Sequence, residues 1–157
     1  MYYNTKNIII PKEVKYFKEE LVSEILSIPP QKPDMERVLN VLVWPEVVST
    51  KLIDTDVGMS NEGQYLSGKK LVVEIKLKEK VTYVACEPTQ SVHAAHFETL
   101  KSIFIVLPTE VDKKDICDLV RADRLQITPY VEATKFRMMN CRTIHKCVML
   151  LVDVKIC

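Results

Sequence analysis

The feature that most constrains this chain is a strict alternation over residues 69–85. Val73, Ile75, Leu77, Val81, Tyr83 and Ala85 fall on one side of an extended backbone, and Glu74, Lys76, Lys78, Lys80 and Thr82 fall on the other. Successive strand side chains point to opposite faces. The segment therefore predicts a long strand with one face on a core and one in water.

Other segments share the period of two. Val38 to Trp44 and Val47 to Ile53 read as two strands separated by Pro45. Ser102 to Leu107 reads as a short apolar strand, and Leu125 to Phe136 and Ile144 to Ile156 as two long closing strands. Pro129 cannot donate to a ladder and predicts an edge or a bulge. Asp112 to Val120 fits one helical turn or a short strand.

One stretch reads differently. After Pro11, Val14, Phe17, Leu21 and Ile25 fall at i, i+3, i+7 and i+11, and Val22 and Leu26 widen that face. This predicts an amphipathic helix over residues 11–27. Pro29, Pro30 and Pro33 end it and stiffen the linker that follows. Residues 1–10 read as an extended arm ending in the β-branched run Ile8-Ile9-Ile10.

The expected fold is mainly β: an antiparallel β-sandwich of about seven to nine strands with an N-terminal arm and one short helix. The arm is 1–10, the helix 11–27 and the β domain 28–157. No helical stretches separate the strands, which argues against a parallel βαβ architecture. The expected core is Val73, Ile75, Leu77, Val81, Tyr83, Ile105, Leu107, Ile127, Val131, Val148, Leu150, Val152 and Val154.

Charge bounds the partners. The 157 residues carry 22 Lys and Arg against 21 Asp and Glu, a net charge of +1. That balance argues against a dedicated nucleic-acid binder. No apolar run approaches the roughly 20 residues that span a bilayer, so no membrane partner is expected. The N-terminus has no apolar core with a small-residue cleavage site, so synthesis in the cytoplasm without a signal peptide is expected.

Candidate chemistry is sparse. His93 and His96 are three apart, a spacing that shares a metal on a helix but points to opposite faces on a strand. The strand pattern favours packed or hydrogen-bonded histidines, with His145 as the third. Gly58, Gly63 and Gly68 are the only glycines. They mark residues 55–68 as a long flexible surface loop. Gly63 and Gly68-Lys69 approach a phosphate-loop spacing, but Lys70 stands where Ser or Thr is needed and a strand follows. No nucleophile elbow or zinc-protease motif occurs. No catalytic residue, metal or cofactor is expected.

Three groups suggest interaction instead. Lys135, Arg137, Arg142 and Lys146 have no acid among them and form either a basic patch for an acidic partner or the solvated tip of a hairpin. The five cysteines, Cys86, Cys117, Cys141, Cys147 and Cys157, match no zinc spacing and read as free thiols or as cross-links. Cys157, the last residue, is the first choice for an intermolecular disulfide. Tyr2, Tyr3, Ile8, Ile9 and Ile10 make the arm too apolar for a solvated tail. It either folds back on its own sheet or adds as a strand to the sheet edge of another copy.

A resemblance adds to this reading. Gly68-Lys69-Lys70-Leu71-Val72-Val73-Glu74, Val81-Thr82-Tyr83-Val84-Ala85, Thr89 to Phe97 and Phe104-Ile105-Val106-Leu107-Pro108 together resemble the SPOCS domain of spore-forming Firmicutes, notably clostridia. Ile28-Pro29-Pro30-Gln31-Lys32-Pro33-Asp34 and Ser60-Asn61-Glu62-Gly63-Gln64 are similar to single-domain members. Thr99-Leu100-Lys101-Ser102-Ile103 replaces the family's usual Pro-Phe. The LysM-like module of two-module relatives is not seen in this chain. The resemblance implies a β-rich, non-enzymatic, sporulation-associated protein. It is expected to be a self-assembling structural subunit of the spore coat or spore surface, with copies of itself and other coat proteins as partners. The alternative is a binding module for a spore polysaccharide or a coat-protein partner.

Overall fold

A computed structural model describes residues 9–157. The chain runs through β1 (Tyr16–Ser27), β2 (Met35–Met59), β3 (Tyr65–Ala85), β4 (Val92–Val106), β5 (Glu110–Val111), β6 (Lys114–Asp115), α1 (Ile116–Arg121), β7 (Leu125–Met138) and β8 (Thr143–Ile156). Two three-stranded antiparallel sheets form, ordered β1-β8-β7 and β2-β3-β4. They face each other with β2 near β7 and β1 near β4. The β5–β6 hairpin and α1 link β4 to β7. This is the β-sandwich that the alternating segments predict.

The expected core is buried, with Ile127 and Val131 half-buried against it. Pro45 does not divide two strands. It lies within β2, opposite Leu77, and is tolerated because β2 is an edge strand. Pro129 also lies on an edge strand, and β7 shifts register between Val131 and Ala133. The open assignment of 112–120 resolves into both elements. Asp112 and Lys113, at φ +50° and +65°, turn the β5–β6 hairpin, and α1 follows. The Asp115 carboxylate caps α1 by accepting from the Cys117 N–H at 2.7 Å.

Two further expectations are corrected. Residues 11–27 hold no helix: Tyr16–Ser27 is β1, paired residue by residue with β8. A spacing of four is close to one helical turn and is also an even number of strand steps. Val22 and Leu26 therefore share the inner face, while Phe17, Leu21 and Ile25 share the outer one. The single helix among the described residues is α1. The glycine-bearing stretch 55–68 is likewise no long loop, since β2 and β3 run into it and leave a short turn at 60–64. There the Ser60 N–H donates to the Gln64 carbonyl at 2.8 Å and the Gly63 N–H to the Ser60 carbonyl at 3.0 Å.

Candidate functional site

Five inner residues of β8 set the interior: Ile144, Lys146, Val148, Leu150 and Val152 are all fully buried. The apolar core is in two parts. Leu71 to Leu77, Val148 and Val22 belong to one, and Val81, Tyr83, Ile144 and Leu26 to the other. A charged belt lies between them. Glu79 follows Leu77 on β3, Lys146 precedes Val148 on β8, and Glu24 follows Val22 on β1 with one residue intervening in each case. The Lys146 ammonium donates to Glu79 Oε1 and, at 3.1 Å, to Glu24 Oε2. Thr99 Oγ1 donates to the same Glu24 oxygen at 3.1 Å. Burial raises the Glu79 carboxyl above its ordinary value, and the Glu24 charge adds to that while Lys146 opposes it.

The four basic residues therefore do not form one surface patch. Lys146 sits on the inner, even-numbered face of β8, where only an ion-paired lysine is tolerated. Arg142 is a structural clamp. Its Nη1 donates to the Lys32 carbonyl at 2.8 Å and Asp34 Oδ1 at 2.9 Å, and its Nη2 to the Ile28 and Pro29 carbonyls at 3.0 and 2.8 Å. Backbone bonds from Ile28 N–H to the Arg142 carbonyl and from Met35 N–H to the Cys141 carbonyl, both 2.8 Å, strap the same linker. The Tyr83 hydroxyl donates to the Pro33 carbonyl at 2.8 Å. Lys135 and Arg137 alone remain exposed, on β7.

The histidines lie apart. His96 is exposed on the outer face of β4, and His93 stacks on Tyr83 with ring centroids 5.9 Å apart. His93 Nε2 is 2.9 Å from Ser91 Oγ, and His145 Nε2 is 2.8 Å from Ser23 Oγ. Among the described residues no three His, Cys, Asp or Glu side chains converge as a metal site requires. No helix among them is long and apolar enough to cross a membrane.

Of the arm, Tyr2, Tyr3 and Ile8 lie outside the described residues. Ile9 and Ile10 are 85% and 38% exposed and lead into β1. One side of β1 is bonded to β8, and no strand pairs with its other side among the described residues. Its outer face carries Phe17, Leu21 and Ile25, 44%, 57% and 61% exposed, with Met149 alongside on β8. This apolar row was missed from sequence because helical spacing assigned the same residues to a buried face. Cys157 is exposed and sits where its N–H donates to the Arg124 carbonyl at 2.7 Å.

A family model, the SipL SPOCS domain, matches residues 34–139, about two thirds of the chain. The chain belongs to the SPOCS-domain family. Its role is therefore related to sporulation. No curated protein and no solved structure matches the chain. The matched span of this SPOCS domain runs from the linker clamped by Arg142 to the end of β7. It leaves out β1 and β8, although β8 is the central strand of its sheet. The linker Ile28 to Asp34, of which Asp34 alone falls within the match, is held by Arg142 and Tyr83.

Proposed function

We propose that this SPOCS domain is a non-enzymatic structural subunit that assembles with copies of itself in the spore coat or on the spore surface, after synthesis in the mother-cell cytoplasm. One observation carries the reading. Exposed Ile9 and Ile10 of the apolar arm lie a few residues ahead of β1, an edge strand among the described residues whose outward row, Phe17, Leu21 and Ile25, is itself exposed. An arm that adds to the sheet edge of another copy satisfies the backbone groups of both and covers apolar surface. Such a head-to-tail contact is not self-paired, so repetition gives a ring or an open fibre. Cys157, a free and exposed thiol, is suited to cross-link neighbours once the surroundings become oxidising.

Electron microscopy and light scattering of purified protein test this reading. Regular rings or fibres are expected from the full chain, and a folded monomer from the chain lacking Met1 to Ile10. Discrete monomers of the full chain at high concentration, or unchanged assembly after the deletion, overturn it. Discrete monomers that bind spore polysaccharide or a coat protein would favour the binding-module alternative.

A further inference from the structure

The outer face of the β1-β8-β7 sheet carries a side-chain cluster that the assembly reading does not use. Cys147 Sγ lies 3.8 Å from His145 Nε2 and 3.7 Å from Ser23 Oγ, and Ser23 Oγ lies 2.8 Å from the same ring nitrogen. A thiol, a ring nitrogen and a hydroxyl thus meet at one point. Cys147 and His145 sit two apart on the central strand of the sheet, so ladders on both sides hold them. Cys147 is a free, half-buried thiol.

The nearest cross-strand charges are basic. Ser23 and Lys135 are the cross-strand partners of Cys147, Ile25 and Arg137 those of His145, and Leu21 and Ala133 those of Met149. These three rows bring two cations and no carboxylate as cross-strand partners, while Glu132 at the β7 bulge beside Ala133 and Glu19, paired with Leu151, are the carboxylates beyond them. The other cysteines are placed differently. Cys86 precedes Glu87, Cys117 has Lys69 beside it but also the Asp115 carboxylate, Cys141 is in the β7–β8 turn, and Cys157 is exposed beyond β8.

We propose that Cys147 is a nucleophilic thiol that forms mixed disulfides with small, negatively charged disulfides. The thiolate is the attacking species, and His145 is a base within reach of its proton. His145 takes the Cys147 proton, directly or through the Ser23 hydroxyl. The Cys147 sulfur then attacks one sulfur of the incoming disulfide. One S–S bond forms as another breaks, and the departing thiolate takes up a proton from His145 or water. The incoming disulfide is the oxidant and is reduced to one free thiol. Lys135 and Arg137 provide the preference for an anionic reagent.

Peptide mass mapping of the reduced full chain, treated with oxidised glutathione or with cystamine and quenched by alkylation, tests the proposal. Cys147 is expected to acquire glutathione on the order of tenfold faster than Cys86 or Cys157, and to prefer it over cationic cystamine. His145→Gln should slow Cys147 and leave Cys157 in the same molecule unchanged. Lys135→Gln with Arg137→Gln should abolish the preference between the two reagents without slowing cystamine. If Cys147 of the unmodified chain reacts no faster than Cys86 or Cys157, or favours cystamine, the proposal fails whatever the variants do. A His145→Gln chain whose Cys147 reacts at the original rate removes the assigned base.

Discussion

Lys146 and Glu79, on facing sheets and both fully buried, are joined by a hydrogen-bonded ion pair that divides the apolar core into two parts. Glu24 approaches the same ammonium from β1 at 3.1 Å. One cation therefore faces two carboxylates. Taking charges out of water is costly, and an orphaned buried charge is costlier than a paired one.

The first prediction follows from that asymmetry. Lys146→Met leaves Glu79 without its cation and should cost about 3 to 5 kcal/mol of stability. Lys146→Met combined with Glu79→Leu removes both charges and should recover most of the loss. Urea denaturation of the single and double variants measures the difference. Equal losses in the two would show that the belt is not held by this pair.

The pH dependence has a definite sign. Burial raises the Glu79 carboxyl above its ordinary 4.5, so the folded chain holds that proton more tightly than the unfolded one. Its contribution to stability is complete below 4.5 and is lost as pH rises through the raised folded value. Glu79→Gln mimics the protonated form at every pH. Melting temperatures of the variant and the original chain should converge in acid and separate as pH rises, with the variant the more stable. Parallel curves would remove Glu79 as the titrating group.

How much was legible in the sequence depends on where each residue's partners lie. The β3 alternation needs only its own neighbours, and its inner face is buried as expected. The β1 pattern was ambiguous because apolar residues four apart fit a helix turn and a strand face equally. Lys146 looked like a surface cation because its acid partners are 67 and 122 residues away along the chain. Its position midway between Ile144 and Val148 was the available signal: in a strand it had to point inward with them. Arg142 was read by charge alone, while its partners are mostly carbonyl groups, which every residue carries. His145 and Cys147, two apart, were legible as sharing a strand face. Ser23 was not, because only the β1–β8 register brings it there.

A third prediction concerns the clamp. Arg142→Ala removes four hydrogen bonds from a half-buried guanidinium and frees the linker between β1 and β2. The expected loss is about 2 kcal/mol, with Arg142→Lys recovering little because an ammonium cannot span the same fork of acceptors. Thermal melts measure it, and hydrogen exchange at Met35 should accelerate in step. An unaltered melt would return Arg142 to the surface.

Gly68 offers a fourth. It holds φ at +95°, and an added Cβ would stand 2.9 Å from Val57 Cγ2. Gly68→Ala should destabilise the β2–β3 hairpin by about 1 to 2 kcal/mol, from backbone strain plus that contact. Gly63, at φ +83° with open space around it, should lose only the strain contribution when changed to Ala. Denaturation midpoints of the two variants compare the terms directly, and a larger loss at Gly63 would contradict the geometry.

The last prediction separates the arm from the folding unit. The family match begins at residue 34, yet β1 lies before it and supplies Val22 and Leu26 to the core and Glu24 to the buried belt. Removing Met1 to Ile10 takes away no strand of the described fold, so the melting temperature of that truncated chain should stay close to the original. Removing residues 1–27 strips β1 from β8, exposes the apolar inner face of the sheet edge and leaves Lys146 with one carboxylate. Fully burying side chains such as Val22 and Leu26 contributes about 1.5 to 3 kcal/mol each, a large part of an ordinary domain's stability. The shorter chain should therefore be unfolded or aggregated at temperatures where the ten-residue truncation is native. Circular dichroism melts and limited proteolysis of both chains decide it. A cooperative, near-original transition for residues 28–157 alone would mean that β1 is an accessory to the sandwich and not part of its core.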